Sequence, residues 1–196
     1  MLFIAGLLIL GGCTAKEPAR NPDPNHTHVN FAVWIEGKQL DFSLPQYMSD
    51  SLTEGKHADQ LADHLHDYLH LHDGNGHVIH RHKPGLALTD FFSSMAGMRY
   101  EGNMFKFLDC MTCQHAAGSY AVKLYVNGNE VPQGSAYVFT DNDKVLITDA
   151  TDPMELRKEI RMMTDDACLY SRTCPERGEP PTENCIADPE VPCVVR

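Results

Sequence analysis

Histidine dominates one stretch of this chain. Residues 64–82 read HLHDYLHLHDGNGHVIHRH and hold seven of the eleven histidines in the 196-residue sequence. Histidine is the commonest metal-ligating side chain and the one that titrates near neutral pH. Two H-x-H pairs, His70/His72 and His80/His82, flank Asp73-Gly74-Asn75-Gly76, a run with turn chemistry. A third pair, His26/His28, opens the segment HTHVNFAVWI. Alternate residues of a strand share a face, so each pair would present both imidazoles on one side.

The register decides whether the pairs meet. A two-residue loop at Gly74-Asn75 would set His72 opposite His77 and put the two pairs on opposite faces. A three-residue loop, Gly74-Asn75-Gly76, sets His70 opposite His80 and gathers Leu69, Leu71 and Ile79 on the other face. That loop wants a left-handed residue at its last position, a role Gly76 takes at little cost. The three-residue register is therefore expected, with His70, His72, His80 and His82 on one face. Opposed residues have Cβ atoms about 5 Å apart, close enough for imidazoles to reach one ion with bonds of about 2 Å.

These four are the primary metal candidates. His26 and His28 join them if the first strand lies beside the hairpin. Neutral imidazoles suit zinc, copper and nickel, and copper or zinc is the expected ion, for storage, sensing or delivery. Two blander readings stand beside this one: a solvated polar face without function, and a pH-responsive histidine surface. His64 and His66 precede the hairpin in a segment that reads as helical, and His57 reads as exposed and inert. A catalytic zinc also wants a general base. Asp73 is the only acidic residue in the turn, and the turn chemistry explains it. No HExxH or other hydrolase pattern occurs, so no enzyme is assigned.

Cysteine carries the second constellation. Cys110-Met111-Thr112-Cys113-Gln114-His115 can be a local structural disulfide, a redox dithiol, or a soft copper(I) site with His115 and Met111. Gln114 excludes the haem-attachment spacing. Beyond it, CLYSRTCPERGEPPTENCIADPEVPCVVR carries Cys168, Cys174, Cys185 and Cys193 with five prolines and few large apolar residues. It reads as a disulfide-stapled tail lying on the domain, too sparse to bury a core of its own.

The organisation follows from composition. Residues 1–12 are an apolar run, too short to span a bilayer as a helix, and residues 13–25 are a polar, proline-rich tether. Residues 26–165 are the domain and 166–196 the tail. Leu10-Gly11-Gly12-Cys13 resembles the lipobox of bacterial lipoproteins, in which the cysteine is lipidated and becomes the mature N-terminus. The resemblance implies an extracytoplasmic chain held to the cell membrane through Cys13. The positively charged segment that usually precedes the apolar run is missing. Outside the cytoplasm, six remaining cysteines suggest a disulfide framework whose pairing is open. A net charge of -11 argues against a nucleic-acid partner. A lipid-anchored interaction module is the third functional reading, with its protein partner unspecified.

The elements that must position the histidines are mostly short strands. Val29, Phe31, Val33 and Ile35 alternate with His26, His28 and Asn30, predicting a half-buried strand, with Leu40-Asp41-Phe42 returning beside it. Thr89 is the expected cap of a helix through LTDFFSSMAGM. Ala121–Asn127 reads as a strand, and 135–140 with 145–148 as a final hairpin around Asp141-Asn142-Asp143. Residues 105–108 read as a strand, and 153–163 as an amphipathic helix entered through Pro153. The segments LALTDFFSSMAG, KLYVNGNEV and DNDKVLIT resemble the β-grasp fold, in particular domains similar to the C-terminal part of transcobalamin. HTHVNFAVWIEGK and LHLHDGNGHVIHRH also resemble an uncharacterised family of His-rich bacterial and archaeal extracytoplasmic proteins. The resemblance covers roughly residues 26–150. It implies an α+β fold: a β-grasp-like mixed sheet, one packed helix, an extra N-terminal strand pair and the stapled tail. The cobalamin-binding role does not carry over, because none of its contacts can be placed here.

Overall fold

The computed structural model describes residues 20–23, 25–49, 65–95, 97–108 and 116–179. Its organising strand is β1 (Thr27–Ile35), nine residues buried along their whole length. The β-branched and aromatic residues of THVNFAVWI favour extended backbone. Glu36 and Gly37, at φ 53° and 71°, turn the chain into β2 (Lys38–Gln39), so the N-terminal strand pair is present. Consecutive left-handed residues are what a two-residue hairpin loop demands.

Further along come α1 (Leu65–Tyr68), β3 (Leu69–His70), β4 (Val78–Arg81) and α2 (Leu88–Ser94). Then follow β5 (Met98–Glu101), β6 (Met104–Phe107), β7 (Gly118–Ala121), β8 (Lys123–Val126) and β9 (Asn129–Glu130). The described chain closes with β10 (Lys144–Thr148), α3 (Pro153–Met162) and α4 (Ala167–Tyr170). The main sheet runs β3-β4-β1-β10-β8-β9, with β2 attached to β1. Among the described strands only the β1–β10 pair is parallel, from Asn30 opposite Lys144 to Trp34 opposite Thr148. Two hairpin arms flanking a central parallel pair, with a helix crossing between them, are the β-grasp arrangement, so the fold is α+β with a β-grasp-like mixed sheet.

The two faces of β1 are covered by different elements. Odd-numbered Val29, Phe31, Val33 and Ile35 pack with Leu88, Phe91 and Phe92 of α2 in the main core. Phe92 sits at its centre, 5.0 Å from the rings of both Phe91 and Phe105 and 5.9 Å from Tyr100. On the even face, Ala32 and Trp34 join Tyr125 and Leu146 against Leu156 and Ile160 of α3. Asp152 caps α3 by accepting the Met154 N–H at 3.0 Å, with Pro153 in the first turn. Nearer the N-terminal end of β1, α4 takes over, and Ala167 and Tyr170 bury Val78. The expectation of a half-buried β1 is thus corrected. A parallel pair at the centre of a sheet is covered on both sides, and the C-terminal helices supply the second cover.

Other expectations shift for local reasons. The α2 helix starts two residues earlier than a Thr89 cap would give. Ala87 is the cap residue, and the Asp90 carboxylate accepts its N–H at 2.7 Å. The strand expected at 135–140 does not form, residues 135 and 136 lying in a 3-10 turn, and β10 pairs with β1 and β8 instead. Asp143 accounts for that segment's shape, its carboxylate accepting from the Thr140 N–H and hydroxyl and the Tyr137 hydroxyl. The strand expected at 105–108 is β6, which joins β5 and β7 in a separate three-stranded sheet.

In the C-terminal segment Cys168 and Cys174 form a disulfide. Cys13, Cys110, Cys113, Cys185 and Cys193 lie outside the described residues, as do His57, His64 and His115.

Candidate metal centre

Register brings the three H-x-H pairs onto one face. In the hairpin His70 stands opposite His80, the pairing expected from a three-residue loop. The turn itself differs: the left-handed residues are Asp73 and Gly74, at φ 57° and 68°, and the Asn75 N–H donates to the His72 carbonyl. Gly76 is required for another reason. A Cβ there would collide with the backbone of Phe42 and Ser43. On the other side of β4, His28 stands opposite His80 and Thr27 opposite Arg81. Strand parity puts His28, His70 and His80 on the even face of three adjacent strands, and His26, His72 and His82 follow just beyond the strand ends.

The rings form a continuous patch. Centroids of His26 and His82 lie 4.0 Å apart, His26 and His28 4.3 Å, and His28 and His80 4.9 Å. His72 and His80 are 3.9 Å apart, and His70 and His82 5.0 Å. One candidate ligating atom from each of His26, His28 and His80 lies within 4.8 Å of the other two. Nitrogens around a tetrahedral ion with bonds near 2 Å sit about 3.3 Å apart. Rotation about χ2, a soft torsion for imidazole, is the motion that closes such a difference.

Burial overturns the solvated-face reading. His80 is 0% exposed, His28 1% and His82 2%, and His26 and His70 are also buried. A polar ring taken out of water must be compensated by specific partners. Two hydrogen-bond chains provide part of that compensation and, for neutral rings, select one tautomer each. Ser171 donates its hydroxyl to the Asp141 carboxylate at 2.5 Å, so its oxygen accepts the Nδ1–H of His28 at 2.8 Å. In the second chain, Asp73 accepts the Nδ1–H of His72 at 2.7 Å. The Nε2 of His72 is then an acceptor and takes the Nδ1–H of His80 at 3.2 Å. In both His28 and His80 the proton is committed to Nδ1, and the buried Nε2 carries the lone pair.

An imidazole anchored through one nitrogen by a carboxylate chain, with the other left basic, is the usual state of a metal-ligating histidine. The electrostatics agree. Three neutral imidazoles bring no charge to balance a divalent ion, whereas Asp141 and Asp73, at the ends of the two chains, supply two carboxylates. Behind the sheet, the buried Arg81 guanidinium is held by the Phe139 carbonyl and the Thr27 hydroxyl and stacks on the Phe139 ring. Burial pulls its pKa below the ordinary value, while Asp141 and Asp143 work in the opposite direction.

The C-terminal segment closes the patch. The Tyr170 ring meets His80 edge-on at 4.7 Å and lies 5.6 Å from His28, and its hydroxyl accepts from Asn75 at 3.1 Å. Ser171 is fully buried beneath it. Tyr170, Ser171 and Asp141 are the contributors that sequence reasoning missed. Ser171 lies 143 residues from His28. The one available signal is that Tyr170 and Ser171 fall between two cysteines six apart. His66 lies within α1. Comparison of the chain with protein-family models, with curated proteins and with solved structures finds no match.

Proposed function

We propose that this protein binds one transition-metal ion, copper or zinc, on the histidine face of its sheet. The carrying observation is the buried triad of His26, His28 and His80, whose ligating atoms lie within 4.8 Å of one another. His70, His72 and His82 surround the triad on the same face, and His72 orients His80. Imidazole donors without thiolate suit zinc and copper(II). The triad leaves a fourth position that one of the neighbouring histidines or an incoming ligand can take. Reversible occupancy of that kind serves storage, sensing or delivery.

The lipobox-like Leu10-Gly11-Gly12-Cys13 supports placing this activity outside the cytoplasm, on a lipid anchor at a bacterial membrane. Among the described residues no helix is long and apolar enough to cross a membrane. Detergent phase partitioning of the cell-expressed protein and of Cys13→Ala tests the anchor; the variant should leave the detergent phase.

The deciding experiment is elemental analysis of protein purified without an affinity tag, followed by titration with Cu(II) and Zn(II). About one ion per chain is expected, with binding lost in His28→Ala/His80→Ala while the far-UV circular dichroism stays native. Binding weaker than roughly 100 μM for both ions, a free energy of only about 5 kcal/mol, would remove the metal function.

A further inference from the structure

The Cys168–Cys174 loop does more than end the domain. Its closed ring contains Tyr170, whose ring lies against His80 and His28, and Ser171, whose hydroxyl links His28 to Asp141. Every contact of the C-terminal segment with the triad described above therefore comes from inside one short disulfide loop. Other contacts also hold this segment, among them the Asn75 donation to the Tyr170 hydroxyl. Ala167 and Tyr170 bury Val78, and the Ala167 N–H donates to the Asn30 side chain at 3.1 Å. Arg177 adds exposed ion pairs to Asp165 and Asp166. Removing the cross-link would take away the covalent closure of the segment that orients His28 and shields His80.

We propose that the Cys168–Cys174 disulfide and the metal ion are thermodynamically coupled, with Ser171 as the positioning residue that transmits the coupling to His28. This rests on the metal reading above. In the oxidised loop, Ser171 holds the Nδ1–H of His28 and keeps Nε2 directed at the ion. Reduction by an extracytoplasmic dithiol breaks the S–S bond and leaves two thiols. The donor passes two electrons and two protons and becomes a disulfide. Cys168, the less buried of the two sulfurs, is the one open to attack. The loosened loop then holds the ion less tightly. Linkage is reciprocal, so a bound ion makes the disulfide harder to reduce by the same factor. Reduction would thus release the ion, and an oxidising compartment would retain it.

The test compares full-length wild type, Cys168→Ser/Cys174→Ser and Ser171→Ala, each titrated with whichever of Zn(II) and Cu(II) the wild type holds. The double variant also removes the thiols, which would otherwise bind metal themselves. A rise in Kd of about 10-fold to 100-fold in both variants is expected, the size usual for losing the group that orients a ligand. Ser171→Thr separates the hydroxyl from its loss: Thr, which keeps the hydroxyl, should recover most of the affinity. Unchanged Kd in both variants would overturn the coupling and leave the metal centre standing. No binding by wild type would remove both. If Cys168→Ser/Cys174→Ser fails to fold, the reduction potential of the wild-type disulfide measured with and without the ion decides the matter, and a potential that the ion leaves unchanged overturns the proposal.

Discussion

The two faces of β1 bury the same backbone by different means. Its odd face is Val29, Phe31, Val33 and Ile35 against α2, an apolar contact that is favourable in proportion to the area removed from water. Toward the N-terminal end its even face is His26, His28 and Asn30, equally buried but polar. Such groups gain little from burial itself and depend on each partner being in place. Asn30 meets the Ala167 N–H, and His28 meets Ser171. One face therefore tolerates adjustment and carries stability. The other tolerates little and carries chemistry.

The largest effect should come from the apolar face. Phe92→Ala is expected to destabilise by about 3–5 kcal/mol, read as a lowered denaturant midpoint. A loss below roughly 1 kcal/mol would mean that the core is not centred on α2. The reverse dissociation is expected on the histidine face. His28→Ala/His80→Ala should weaken metal binding by at least about 100-fold, beyond what altering a group behind the ligands does. Its metal-free stability should fall far less than that of Phe92→Ala. Equal destabilisation by both would erase the distinction between the faces.

A finer test uses the far half of the even face. Glu159 of α3 is fully buried there. Burial, reinforced by repulsion from Glu155 and Asp149, raises its pKa above the ordinary 4.5. A raised folded-state value means that the neutral carboxyl is the better-tolerated form. Its contribution to stability is fully present below about pH 4.5 and is lost as pH rises through the raised value. Glu159→Gln should therefore be more stable than wild type at pH 7 and match it near pH 4. Urea unfolding at the two pH values checks this, and a variant destabilised at pH 7 would contradict it. The smallest effect should belong to Asp73→Asn. Asp73 is exposed and reaches the triad only through His72. Its Kd should rise by less than about 10-fold, below the roughly 10–100-fold range for closely held supporting groups. A larger change would make the exposed chain the stronger of the two.

Much of the site was legible from spacing alone. His70 opposite His80 followed from asking which loop length leaves Leu69, Leu71 and Ile79 together. The parity of His26 and His28 followed from the alternation of HTHVNFAVWI. The loop conformation was less legible. Asp73 and Gly74 take the left-handed positions, while Gly76 is needed where Phe42 and Ser43 pass close by. That approach comes from another segment and leaves no trace in the local pattern. The β5–β7 sheet was visible only as the single strand β6: β5 alternates, but over only four residues, and β7 carries a single large side chain, Tyr120.

The sequence by itself determined which residues share a face, because alternation along an extended chain is a property of covalent geometry. It also determined an α+β chain with a grasp-like order of elements, and a net charge of -11 unsuited to nucleic acid. Only the tertiary structure decided that β1 lies between β4 and β10, so that three H-x-H pairs become one cluster. It also decided that this cluster is buried, under a loop whose Ser171 lies 143 residues from His28 in the chain. Adjacency of strands and the cover of a face arise from packing between distant segments, and no local period encodes them.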